Sequence, residues 1–106
     1  MAKPVTITIS HDLGRQGAVN RLRGGLDSIR DKLGMVRMQL VEEAWDGDSL
    51  RFGVAALGQT VNGRIDVEDS LVRVEVTLPW MLAIFAEKLK IGVEKQGQLL
   101  LDKPKG

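Results

Sequence analysis

The spacing of apolar residues is the feature of this sequence that most restricts its fold. Apolar and polar residues alternate in residues 5–10, recur every three or four residues between 19 and 33, alternate again from 36 to 78, and return to a helical spacing from residue 81. Alternation is typical of a strand with one buried face, and spacings of three and four are typical of an amphipathic helix. The pattern predicts the order β-α-β-β-β-β-α.

Short connections join the four strands that follow the first helix. Asp46-Gly47-Asp48 is a hairpin signal, Asp69-Ser70 fits a tight turn, and residues 57–60 make a longer link. Such connections imply antiparallel strands, because a parallel crossover needs a dozen or more residues. Five strands and two helices therefore predict an α+β two-layer sandwich, an antiparallel sheet with both helices packed on one face.

The first helix and the strand after it have predicted limits. The helix follows the turn signals at Asp12 and Gly14, has about five turns with an apolar stripe from Val19 to Leu33, and is expected to end at Gly34, because glycine is a common C-terminal stop. Gly24 and Gly25 in its middle each cost about 1 kcal/mol relative to alanine, which indicates a bend or a closely approaching neighbour. The alternation in residues 36–40 predicts that the next strand starts at Val36.

Length and composition predict one globular domain. The chain has 106 residues, of which 43% are apolar and 27% charged. We expect the domain to span residues 1–101, with a frayed tail at 102–106. No signal segment and no stretch of roughly 18 apolar residues is present, so we expect a cytoplasmic protein without a transmembrane segment.

No set of residues indicates catalysis, a cofactor or a metal site. The chain lacks cysteine, and its single histidine, His11, has no nucleophile or ligand set around it, so we expect a structural or capping role. The acidic residues at 46, 48 and 66–69 lack the spacing of a calcium loop and are typical of turns. The sequence predicts a protein that is not an enzyme and holds no cofactor or metal.

Charge argues against a nucleic-acid partner. The chain has 15 Lys and Arg against 14 Asp and Glu, whereas a nucleic-acid binder concentrates basic residues. The polar face of the predicted sheet mixes both signs and carries no aromatic residue on which a base could stack. Cross-strand ion pairs on a solvated face are the favoured interpretation. The charged and polar residues expected on this face are Arg37, Arg51, Arg64, Asp66, Glu68, Arg73, Glu75 and Thr77.

The last helix carries a second apolar stripe. At 100° per residue, Trp80, Ile84 and Ile91 fall within an arc of about 40°, nearly opposite the core stripe. The second stripe either meets the first helix or forms an intermolecular surface, most commonly with a second copy of the chain. It is flanked by Lys88 and Lys95 on one edge and by Glu87 and Glu94 on the other. The expected core stripe comprises Met81, Leu82, Phe85, Leu89, Val93, Gln96 and Leu100.

Several of these segments together resemble a known family. A strand that ends in His11 leads through Leu13 into a helix at Gly14, and a final helix follows the strand at 72–76. With the hairpin at 45–52 and the strand at 62–65, the chain resembles the polyhydroxyalkanoic acid system proteins from about residue 5 to 100. These are small bacterial proteins associated with polyhydroxyalkanoate storage-granule genes. The resemblance implies a non-enzymatic role connected with polyester granules and supplies no catalytic or binding residues.

Three classes of function follow. The leading hypothesis is an interaction protein that binds the granule surface, granule proteins or a second copy of itself as a homodimer. The alternative is a small carrier of an apolar or acyl ligand, although a core of this size is usually filled by side chains. An enzyme of acyl chemistry lacks a nucleophile and base, because Ser10 and His11 are neighbours on a strand and point to opposite faces. The candidate interaction surface comprises Trp80, Ile84, Lys88, Ile91 and Lys95.

Overall fold

The computed structural model describes residues 3–35, 37–56 and 58–101 and has the predicted α+β architecture. The predicted tail at 102–106 lies outside the described residues. A short 3-10 helix, which we call the 3-10 segment, precedes the last α-helix. The elements are β1 (Lys3–Ser10), α1 (Gly14–Met35), β2 (Gln39–Asp46), β3 (Ser49–Ala56), β4 (Gln59–Val67), β5 (Leu71–Leu78), the 3-10 segment (Trp80–Phe85) and α2 (Ala86–Leu101).

The five strands form one antiparallel sheet in the order β1-β5-β4-β3-β2. Consecutive strands from β2 to β5 are neighbours, as the short connections predict, and β1 lies at the edge beside β5. Directly opposed residues share a face of a sheet. One row of apolar residues crosses all five strands on the inner face: Ile7, Val74, Ile65, Leu50 and Trp45.

Both helices contribute to the core on this inner face. Ala18 and Val19 from α1 and Ala86 and Leu101 from α2 are buried in one cluster with side chains of β1, β4 and β5. The largest fully buried side chains lie on the sheet, because the inner positions of the strands are covered by the helices. They are Ile7, Leu50 and Val72.

Two helical glycines allow close contact between elements. A Cβ atom at Gly25 would overlap the side chain of Leu100, and one at Gly97 would overlap Ile9. Gly25 therefore lets α1 approach α2, and Gly97 lets α2 approach β1. The close neighbour considered for the middle of α1 is confirmed at Gly25, whereas Gly24 faces open space.

The first helix ends differently from the prediction. It continues to Met35, and Arg37 adopts the left-handed conformation with φ 60°. The N–H of Arg37 donates to the carbonyl of Gly34 (3.2 Å) and that of Met38 to Leu33 (2.8 Å). This pair of bonds is the Schellman pattern of a helix C-terminus. The prediction that Gly34 terminates the helix was wrong, because Arg37 supplies the left-handed residue.

Strand β2 also differs from the prediction. It begins at Gln39 because the left-handed Arg37 interrupts the extended chain, and the predicted start at Val36 lies outside the described residues. A register shift between Leu40 and Glu42 leaves Val41 unpaired, as in a β-bulge. The link after β3 is shorter than predicted, since Ala56 pairs with Gln59.

The last helix begins with a different geometry from the one predicted. The 3-10 segment has about three residues per turn, so residues four apart lie about 120° apart instead of about 40°. Leu82 is buried, but Met81 is 44% exposed and Phe85 is 43% exposed. Their assignment to the core stripe was wrong for this reason, and Gln96 is exposed as well.

Candidate functional site

The three apolar residues of the candidate surface are all exposed. Trp80 is 67% exposed, Ile84 is 83% exposed and Ile91 is 61% exposed. Trp80 and Ile84 lie in the 3-10 segment, and Ile91 lies in α2. The segment places Trp80 and Ile84 about a third of a turn apart. The narrow stripe expected from a continuous α-helix is therefore replaced by a wider apolar surface.

Exposed apolar side chains are concentrated in the 3-10 segment. Four of its six residues, Trp80, Met81, Ile84 and Phe85, belong to this class. The segment lies within a stretch, residues 76–86, that contains no charged residue. A concentration of this kind is typical of a surface that contacts another molecule. Leu82 and Ala86, which are buried, attach the surface to the core.

A line of alternating basic and apolar residues continues along α2. Lys88, Ile91, Lys95 and Leu99 are spaced by three, four and four residues and are all exposed, and we call them the outer ridge. Leu99 is 65% exposed and was missed by the sequence analysis. It is one of three consecutive leucines, and only its spacing of four residues from the exposed Lys95 indicates that it faces outward.

The lysines of the outer ridge have no carboxylate partner among the residues described. No ion pair in this part of the chain involves Lys88 or Lys95. Glu87 and Glu94 each precede one of these lysines and point about 100° away around the helix axis. Each glutamate also lies three or four residues from Ile91, so Ile91 has positive charge on one side and negative charge on the other.

His11 has the structural role expected for it. The ring is buried; its Nδ1 accepts a hydrogen bond from the N–H of Leu13 (3.1 Å), and Nε2 faces the carbonyl of Glu68 (3.1 Å). Since Nδ1 faces a donor and Nε2 an acceptor, the geometry assigns the proton to Nε2. His11 joins the start of α1 to the turn between β4 and β5. Ser10 is exposed, whereas the His11 ring is buried.

Arg15 forms two ion pairs near the turn between β4 and β5. The guanidinium of Arg15 lies 3.3 Å from the carboxylate of Asp69 and 3.7 Å from that of Asp48. It therefore connects the β2–β3 hairpin to the β4–β5 turn. Among the described residues, no group of three or more acidic or histidine side chains has a geometry that could hold a metal ion.

The outer face of the sheet mixes both charges. Arg37 was predicted on this face, but it lies before β2 begins, so that prediction was wrong. Asp66 accepts hydrogen bonds from Ser49 (2.6 Å) and from Arg64 (2.9 Å). The Ser49 hydrogen bond is the main cause that lowers the pKa of Asp66, with contributions from Arg64 and Arg73, while partial burial opposes the shift. Trp45 and Phe52 belong to the inner face, so the described part of the outer face carries no aromatic platform.

A groove lies between the two helices. Arg21 donates from Nη1 to the carbonyl of Leu100 (3.1 Å) at the end of α2, which satisfies a terminal carbonyl. The groove is open to solvent and is lined in part by Arg21 and Asn20, unlike the enclosed apolar cavity that an acyl carrier needs. The residues that line it are Gly17, Asn20, Arg21, Gly24, Gly25 and Leu100.

The described part of the chain has no helix that is long and apolar enough to cross a membrane.

Comparisons with known proteins identify the family. No curated protein and no solved structure matches the chain. A family model described as "Putative polyhydroxyalkanoic acid system protein" matches residues 5–101, and the chain therefore belongs to the family of polyhydroxyalkanoic acid system proteins.

Proposed function

We propose that this protein is a non-enzymatic member of the polyhydroxyalkanoate system that attaches to the surface of polyester storage granules in the cytoplasm. The family links the chain to the system. The observation that carries the proposal is the concentration of exposed apolar side chains in the 3-10 segment. A polyester surface is apolar, and adsorption to it removes these side chains from water.

The energetics of adsorption favour a few large side chains. Full burial of one large apolar side chain contributes about 1.5–3 kcal/mol. Trp80 and Ile84 keep most of their surface in water, so most of this free energy is available on adsorption. Little conformational entropy is lost, because Leu82 and Ala86 already hold the segment against the core.

A role without catalysis is supported by the way the polar groups are used. Both ring nitrogens of His11 face backbone groups, and Asp66 is engaged by Ser49 and Arg64. Neither side chain lines the groove between the two helices. We therefore assign the protein's function to binding by the exposed apolar side chains of the 3-10 segment.

The test is co-sedimentation with isolated granules. The variant Trp80→Ala with Ile84→Asp removes two exposed apolar side chains and adds a charge, so we expect granule binding to be lost while circular dichroism stays unchanged. The matched control is Met35→Asp with Val41→Ala. Met35 and Val41 are also exposed but lie outside the 3-10 segment, so the control should bind like the wild type.

Two outcomes would contradict the proposal. One is unchanged co-sedimentation of the folded Trp80 and Ile84 variant. The other is equal loss in the Met35 and Val41 control, which would indicate a general response to lower surface hydrophobicity. Sedimentation velocity on both variants tests the homodimer: a dimer that dissociates only in the Trp80 and Ile84 variant would assign this surface to a second copy.

A further inference from the structure

We draw no further inference here: the strongest candidate, the exposed apolar face of α2 around Ile91, is bordered by lysines on one side and by glutamates on the other, and nothing in the part of the chain that the structure describes shows what covers it.

Discussion

The two ends of the sheet expose different kinds of side chain. At the end where β1 stops and α1 begins, which we call the polar end, His11 and Arg15 connect three turns through hydrogen bonds and ion pairs. At the opposite end β5 leads through Pro79 into the 3-10 segment, where Trp80 and Ile84 lie mostly in water. The polar end joins elements of the fold, whereas the apolar end leaves surface available for contact.

Because of this difference, we expect the residues that stabilise the fold and the residues that bind a partner to lie at different ends of the sheet. Side chains with buried partners contribute to stability, because their removal leaves donors and acceptors unpaired. Exposed side chains without such partners contribute little, and their substitution commonly changes stability by less than about 0.5 kcal/mol. We therefore expect substitutions at the polar end to lower stability, and substitutions in the 3-10 segment to affect binding.

The largest predicted effect on stability is at His11. His11→Ala removes the acceptor for the N–H of Leu13 and the donor to the carbonyl of Glu68 at a buried position. We expect a loss of about 2–3 kcal/mol in the free energy of unfolding, measured by urea denaturation. Trp80→Ala should change the same quantity by less than about 0.5 kcal/mol.

His11→Asn is the matched variant for this comparison. The shorter side chain retains an acceptor that can take the N–H of Leu13, as asparagine does in turns, but it does not span the distance to Glu68. Its stability should lie between those of the wild type and His11→Ala. If Trp80→Ala costs as much as His11→Ala, the proposed separation of the two ends is wrong.

The patterned regions explain what could be predicted from the sequence. The strands alternate clearly because one face is buried and one is solvated, so the order of elements, the antiparallel sheet and the inward-facing positions of Ile7 and Leu50 are predictable. The capping role of His11 followed from its position at a junction, with no second catalytic group available. The second stripe of Trp80, Ile84 and Ile91 was recognised from its spacing, but the sequence left open whether the first helix covers it, and the structure leaves all three residues exposed.

The unpredicted features depend on local backbone geometry. The choice between three and 3.6 residues per turn after Pro79 changes which residues face the core, and the apolar stretch that follows is compatible with either. Glycine is the usual residue for the left-handed position at a helix end, so Arg37 gave no signal for it. The ion pairs of Arg15 join residues distant in sequence, and their partners are decided by the turns that meet at the polar end.

The next largest effect is predicted at Arg37, which lies near the start of β2 at the apolar end. Its left-handed conformation with φ 60° is unfavourable for a residue with a Cβ atom and favourable for glycine. Arg37→Gly should raise the free energy of unfolding by about 0.5–1 kcal/mol, because the lost strain exceeds the greater entropy of the unfolded chain.

Thermal unfolding measures this gain as a rise in Tm of a few degrees. Arg37→Ala is the control, since it removes the same charge but keeps the Cβ atom and should give no gain. If both variants gain equally, charge and not backbone conformation is the cause. A gain specific to glycine would show that the apolar end contains backbone strain as well as exposed apolar surface.

The smallest predicted effect is the pH dependence that Asp66 gives to the sheet near the polar end. Its hydrogen bond from Ser49 is the main cause that lowers its pKa below the usual value of about 3.8 in the folded protein, so the unfolded chain binds the proton more readily. Its contribution to stability is present above that value and is lost as pH falls through the lower folded pKa. The difference in free energy of unfolding between wild type and Asp66→Asn should therefore shrink on acidification from pH 6 to pH 2.

Ser49→Ala should bring the pKa of Asp66, followed by NMR of its carboxyl carbon, back towards the usual value. A difference that stays constant with pH would show that Asp66 acts through packing instead of charge.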